Sequence, residues 1–132
     1  MEQTIDVTFG QGMRIDATLE GSHTIHTDQK VKDGGEGSAP NPFELFLASL
    51  ATCAGVYARR FCEARNIATQ GMALRVTCTY APKGFQVTHM RFMLTPPPGF
   101  PEEYRAPLIR AVELCTVKKH IVHPPEFTVE LT

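Results

Sequence analysis

The chain has 132 residues, of which 42% are hydrophobic and 20% charged, and its 13 Lys and Arg against 14 Asp and Glu leave a net charge of −1. That length suits one domain spanning 1–132, and the composition is that of a globular protein rather than a disordered or fibrous one. The charges are scattered, with Arg59-Arg60 and Lys118-Lys119 the only adjacent basic pairs, so no basic footprint for nucleic acid is present and no such partner is expected.

Met1 to Asp6 lacks the basic and apolar regions of a signal peptide, which makes cytoplasmic residence the expectation. Residues 4–9 and 13–20 alternate (Ile5, Val7, Phe9; Met13, Ile15, Ala17, Leu19) around Gly10-Gln11-Gly12, the pattern of a β-hairpin with a glycine turn. Ser22 to Thr27 adds a third strand. Lys30 to Pro40 is polar and glycine-rich, long enough to be mobile, and loops of this kind often serve as lids or connections.

Asn41 to Cys62 reads as a helix. Asn41 can cap it, Pro42 fits its first position because the missing N–H costs nothing there, and Glu44 can close a capping box. No charge occurs between Leu45 and Ala58, so the helix is expected to be buried on nearly all sides. A membrane span needs about 20 apolar residues, and this run is shorter and carries Ser49, Thr52 and Cys53; no membrane partner is expected.

After a turn at 66–71, Met72 to Tyr80 and Gln86 to Leu94 alternate across a Pro82-Lys83-Gly84 loop, a second hairpin. Pro96-Pro97-Pro98-Gly99 ends that sheet. A second helix is predicted over Glu102 to His120, with Leu108, Val112 and Cys115 on one stripe and a kink or an early restart near 104–106 because of Pro107. Pro124-Pro125 stops it, and Glu126 to Leu131 is predicted as a last strand. Three strands, a helix, two strands, a helix and a strand make an α+β fold with antiparallel sheets. One sheet covers one face of an all-apolar helix, so an obligate homodimer with helices packed between two sheets is expected.

The four cysteines, Cys53, Cys62, Cys78 and Cys115, are too few and too irregularly spaced for a disulfide scaffold, and none forms a C-x-x-C pair for zinc. Cys62 near a helix end reads as incidental and Cys78 on the apolar face of a strand as core, since free cysteine behaves as a small hydrophobe. Cys53 and Cys115, on two separate predicted helices, are the redox candidates. His23-x-x-His26 makes a poor chelate because strand residues three apart face opposite ways. His120-x-x-His123 suits a helix C-terminus, and Gly34, Gly35 and Gly37 lack the following Lys-Ser/Thr of a phosphate loop. No metal or cofactor is expected.

Ala39-Pro40-Asn41-Pro42-Phe43-Glu44-Leu45, followed by Leu47-Ala48-Ser49-Leu50-Ala51-Thr52-Cys53, resembles the first-cysteine helix of the OsmC/Ohr family. Glu113-Leu114-Cys115-Thr116-Val117 resembles its second-cysteine segment. The resemblance covers nearly the whole chain and implies an intertwined homodimer, antiparallel sheets wrapped around central helices, that reduces organic hydroperoxides. It assigns the attacking role to Cys53 and the resolving role to Cys115, regenerated by an external thiol reductant such as a lipoyl protein.

The resemblance also implies an assisting Arg and Glu. The peroxidase branches place the Glu ten residues before the reactive cysteine, where this chain has Phe43. Glu44 stands nine before, roughly 100° away around a helix, a spacing that resembles a less characterised branch of the family. Arg14 is the arginine the resemblance suggests. Arg60 is its rival from helical spacing, since Cys53, Tyr57 and Arg60 fall at i, i+4 and i+7.

Peroxide reduction requires a thiolate, and in apolar surroundings a thiolate requires a nearby cation. Phe43, Phe46, Leu50 and Tyr57, with Arg60, are the expected pocket walls, favouring an organic peroxide over hydrogen peroxide. The alternative is a dimeric module that holds an apolar or acyl ligand without turnover. Phe43 at the acid position favours that alternative, and retention of both cysteines favours the enzyme.

Overall fold

The structure is a computed structural model describing residues 1–132. It is α+β with two antiparallel sheets, and the backbone forms two compact units, Met1–Ala48 and Ser49–Thr132.

The first unit is a three-stranded meander of β1 (Ile5–Phe9), β2 (Ile15–Leu19) and β3 (His23–Thr27). Val7 pairs with Ala17 and Ala17 with Ile25, so the alternating residues share one face. The glycine-rich segment after β3 is tightly tied. Asp28, 1% exposed, accepts from the Gln29 N–H (2.7 Å), the Glu36 N–H (3.3 Å), the Ser38 N–H (3.1 Å) and the Ser38 hydroxyl (2.7 Å). These bonds hold the Asp28 carboxyl down at about 2, because they favour the charged form. The mobility expected of this loop from its composition is opposed by one buried carboxylate that organises it.

Helix α1 (Pro42–Glu63) begins as predicted, with Asn41 Oδ1 accepting from the Glu44 N–H at 2.8 Å. The Glu44 carboxylate turns to Lys30 at 3.7 Å. The helix ends in a turn where the Ile67 N–H bonds to the Cys62 carbonyl and Asn66 takes a left-handed φ of 56°, a conformation asparagine tolerates.

In the second unit, β4 (Ala73–Tyr80) and β5 (Val87–Thr95) form a hairpin with a bulge at Thr79/Tyr80. Ala54, Ala58, Phe61 and Cys62 from α1 pack with Leu108 and Val112 to form its core, backed by Leu74, Leu94, Phe100 and Tyr104. Phe61 meets Tyr104 edge-on at 6.0 Å, and the Arg65 guanidinium stacks over Phe61 at 3.6 Å. Cys62 is fully buried in this core, and burial pushes its thiol up. It is a core packing residue, where its place near a helix end suggested an incidental one.

Three expectations need correction. The second helix is two: α2 (Arg105–Val112) and α3 (Thr116–Val122), separated at Glu113–Cys115. The chain does restart within 104–106 as expected, a short 3-10 turn at Glu102–Tyr104 giving way to α2 at Arg105, so Pro107 sits in a first turn, where N–H groups lack intrahelical acceptors. The break instead precedes Thr116-Val117, two β-branched residues that favour helix weakly, and Cys115 turns to an extended ψ of 125°.

Residues 126–131 form no strand. Their alternation leaves Phe127, Val129 and Leu131 exposed at 85%, 97% and 101%. Alternation states that a segment can pair, and the available edge decides whether it does. Finally, the buried residues of α1 are Leu50, Ala54, Ala58, Phe61 and Cys62, while Val56 remains 45% exposed. The helix therefore buries one stripe of an apolar surface within this chain rather than nearly all sides.

Candidate active site

Leu50, Ala54 and Ala58 recur every four residues and turn one face of α1 into the core. Cys53 is thereby set beside that stripe, half-buried. Cys115 is the residue before α3, buried to 4% exposure. The break between α2 and α3 brings its thiol to Cys53, to which it donates a hydrogen bond. The first N–H groups of α3 follow at the same place, because they have no carbonyl partner within their own helix.

The electrostatics separate the two thiols. Burial raises Cys53, but hydrogen bonds from the Val117 N–H, the Cys115 thiol and the Thr116 N–H, together with the charge of Arg60, outweigh it and hold Cys53 below its ordinary value. Burial also raises Cys115, and its donation to Cys53 and the negative charge there raise it further; the N–H groups of Lys118 and Val117 offset this in part. Of the two, Cys53 is therefore the thiol that gives up its proton more readily and Cys115 the one that keeps it. Thiolate is the nucleophilic form of cysteine.

Tyr57 lies one turn after Cys53 on α1, and its hydroxyl shares a 2.7 Å hydrogen bond with the Thr116 hydroxyl. The Arg60 guanidinium sits 5.8 Å from the centre of the Tyr57 ring. The predicted face of Cys53, Tyr57 and Arg60 is thus present, with Arg60 the cation acting on the sulfur.

Arg14 and Glu44 belong to the first unit. Arg14 bonds to Glu36 at 2.6 Å and to the Ser38 hydroxyl at 3.3 Å, and Glu44 pairs with Lys30. Phe43 and Phe46, expected as pocket walls, stack on each other at 5.8 Å in that unit and are 42% and 40% exposed.

The second unit contains a cavity of about 530 Å³. Leu50, Ala54, Phe92, Leu108, Val112 and Ile121 are among its apolar walls, with Cys115, Arg105, Glu113 and Lys118 also lining it. Of the expected wall residues, Leu50 lines it; Tyr57 and Arg60 stand instead around Cys53. Sequence reasoning missed the Thr116 and Val117 N–H groups. One continuous helix would have consumed them, and the only signal was the β-branched pair directly after Cys115.

Two of the five histidines are engaged locally. His26 pairs with Asp16 at 3.0 Å, and His120 Nδ1 lies 2.7 Å from the Thr116 carbonyl. No helix is long and apolar enough to cross a membrane.

A family model described as OsmC-like protein matches residues 35–130. No curated protein matches the sequence. Among solved structures, the chain is similar to a Psychrobacter arcticus 273-4 protein described as an osmotic stress induced and detoxification response protein, with 25% identity, 94% of this chain and 90% of that chain covered, and a TM-score of 0.78. It is similar to an OsmC like protein from Mycoplasma pneumoniae at 15% identity, 94% and 89% coverage and a TM-score of 0.72. An organic hydroperoxide resistance protein OsmC from Legionella pneumophila aligns at 22% identity, 92% and 89% coverage and a TM-score of 0.61.

Proposed function

Because the chain belongs to the OsmC-like protein family, we propose that it is a thiol-dependent peroxidase acting on organic hydroperoxides, with Cys53 as nucleophile, Cys115 as resolving thiol and Arg60 as the assisting cation. The observation that carries this reading is the unequal pair: a Cys53 thiol held below its ordinary value by donors and Arg60, in hydrogen-bond contact with a Cys115 thiol pushed above its own.

The Cys53 thiolate attacks the terminal peroxide oxygen, the O–O bond breaks, and the departing alkoxide takes up a proton to leave as an alcohol. Cys53 is then a sulfenic acid. The Cys115 sulfur attacks it, forming the disulfide and releasing water. An external dithiol, a lipoyl protein being the class suggested by the family, reduces the bridge and is itself oxidised to a disulfide. Arg60 stabilises the initial thiolate and can donate hydrogen bonds to the peroxide oxygens. Arg14 is occupied by Glu36 and Ser38, which supports Arg60 over Arg14.

We read the functional form as a homodimer. The exposed apolar residues of α1 and the unpaired alternation of Phe127, Val129 and Leu131 support it, since a second copy would remove both surfaces from water. A cytoplasmic setting fits four free cysteines.

The apolar cavity favours a second reading, a module that binds an apolar or acyl ligand without turnover. One experiment separates the two. After one equivalent of cumene hydroperoxide, free-thiol counting is expected to show loss of two thiols per chain and mass spectrometry a Cys53–Cys115 bridge, with neither change in Cys53→Ser. Unchanged thiols at low excess of peroxide would establish the binding module instead.

A further inference from the structure

Helix α3 has seven residues, and none of them is buried. A helix that short is unstable alone, and packing reaches its first turn only through the half-buried Val117 and the buried Cys115 that precedes it. The N–H groups of Thr116 and Val117 in that turn must stay directed at the Cys53 sulfur to act on it. The exposed Thr116 side has a tie of its own.

We propose that Tyr57 is a positioning residue for Cys53: its hydroxyl, bonded to the Thr116 hydroxyl at 2.7 Å, ties the first turn of α3 to α1, and its ring seats the Arg60 guanidinium. One side chain thus fixes both kinds of group that favour the thiolate, the backbone donors through Thr116 and the cation through the ring face. Tyr57 acts in this role through Thr116 and Arg60. Thr116 is its counterpart, as the second half of the tie. The role deepens the thiolate reading of Cys53 given above.

The geometry favours positioning over simple packing. The two hydroxyls join residues 59 positions apart in sequence, so the bond spans the turn that places Cys115 beside Cys53. The guanidinium distance of 5.8 Å from the ring centre lies within cation–π range.

The test follows carbamidomethylation of Cys53 by iodoacetamide across pH, read by mass spectrometry of the Cys53 peptide, in native protein, Tyr57→Phe, Thr116→Val and Thr116→Ser. Loss of one hydroxyl is expected to slow alkylation at neutral pH roughly threefold to tenfold, the thiolate fraction equivalent to one hydrogen bond, and to move the profile to higher pH. Thr116→Ser keeps the hydroxyl and should follow the native profile, while the double variant should be no slower than either single one because both break the same bond. Profiles of Tyr57→Phe and Thr116→Val that coincide with the native one overturn the proposal, as does Thr116→Ser behaving like Thr116→Val. If Tyr57→Phe loses the native circular dichroism spectrum, the two Thr116 variants decide alone. The readout requires no peroxide, so a protein that shows these shifts without turning over cumene hydroperoxide refutes the peroxidase and retains the positioning role.

Discussion

Gly35 offers a sharp test of how the loop after β3 is built. A Cβ added there would overlap the Gln29 carbonyl oxygen, lying 2.5 Å from its carbon and 2.7 Å from Asp28 Oδ1. Backbone and a buried carboxylate cannot swing aside as a flexible side chain would. The Gln29 carbonyl also receives the Gly37 N–H at 2.9 Å, so moving it breaks a second contact. Overpacking costs about 1–3 kcal/mol and one lost backbone hydrogen bond about 1 kcal/mol, giving about 2–4 kcal/mol for Gly35→Ala. With a urea slope of about 2 kcal/mol/M, the unfolding midpoint falls by about 1–2 M.

Gly37→Ala is the control. Its φ is 66° and nothing lies within 4 Å of the added carbon, so only left-handed strain of about 1–2 kcal/mol applies. Urea unfolding followed by far-ultraviolet circular dichroism should rank the two variants in that order. A Gly35→Ala midpoint displaced no further than that of Gly37→Ala would refute the close-approach account.

Two further outcomes follow from the charges. The Asp28 carboxyl sits at about 2 in the folded chain against an ordinary 3.8, so its contribution is complete above about pH 4 and is lost as pH falls toward 2. Thermal scans should therefore show native protein losing, between pH 4 and pH 2, a stability increment that Asp28→Asn lacks; parallel pH dependences of the two would count against the carboxylate as the loop's organiser. Cys115→Ala removes a donor to Cys53, so the Cys53 alkylation profile should move to higher pH. In this variant, oxidation by cumene hydroperoxide should stop at a dimedone-trappable sulfenic acid, and an unshifted profile would mean the thiol contact does not polarise Cys53.

Much of the chain was legible locally. The period-two alternation of β1, β2, β4 and β5, the Asn41-Pro42 start of α1 and the i, i+4, i+7 face of Cys53, Tyr57 and Arg60 depend on neighbours within a few residues. Sequence spacing carries such information directly. Tertiary structure decided what depends on residues far apart. The break before α3 appeared where burial of Cys115 and the tie from Tyr57 to Thr116 meet. Likewise, Asp28 became the hub of its loop through partners eight and ten residues away. The sequence named two cysteines by pattern and set Cys115 inside a helix that the fold breaks there, but which of them gives up its proton more readily depends on donors and a cation assembled by the fold, since charge is stabilised by distance and orientation rather than by order along the chain.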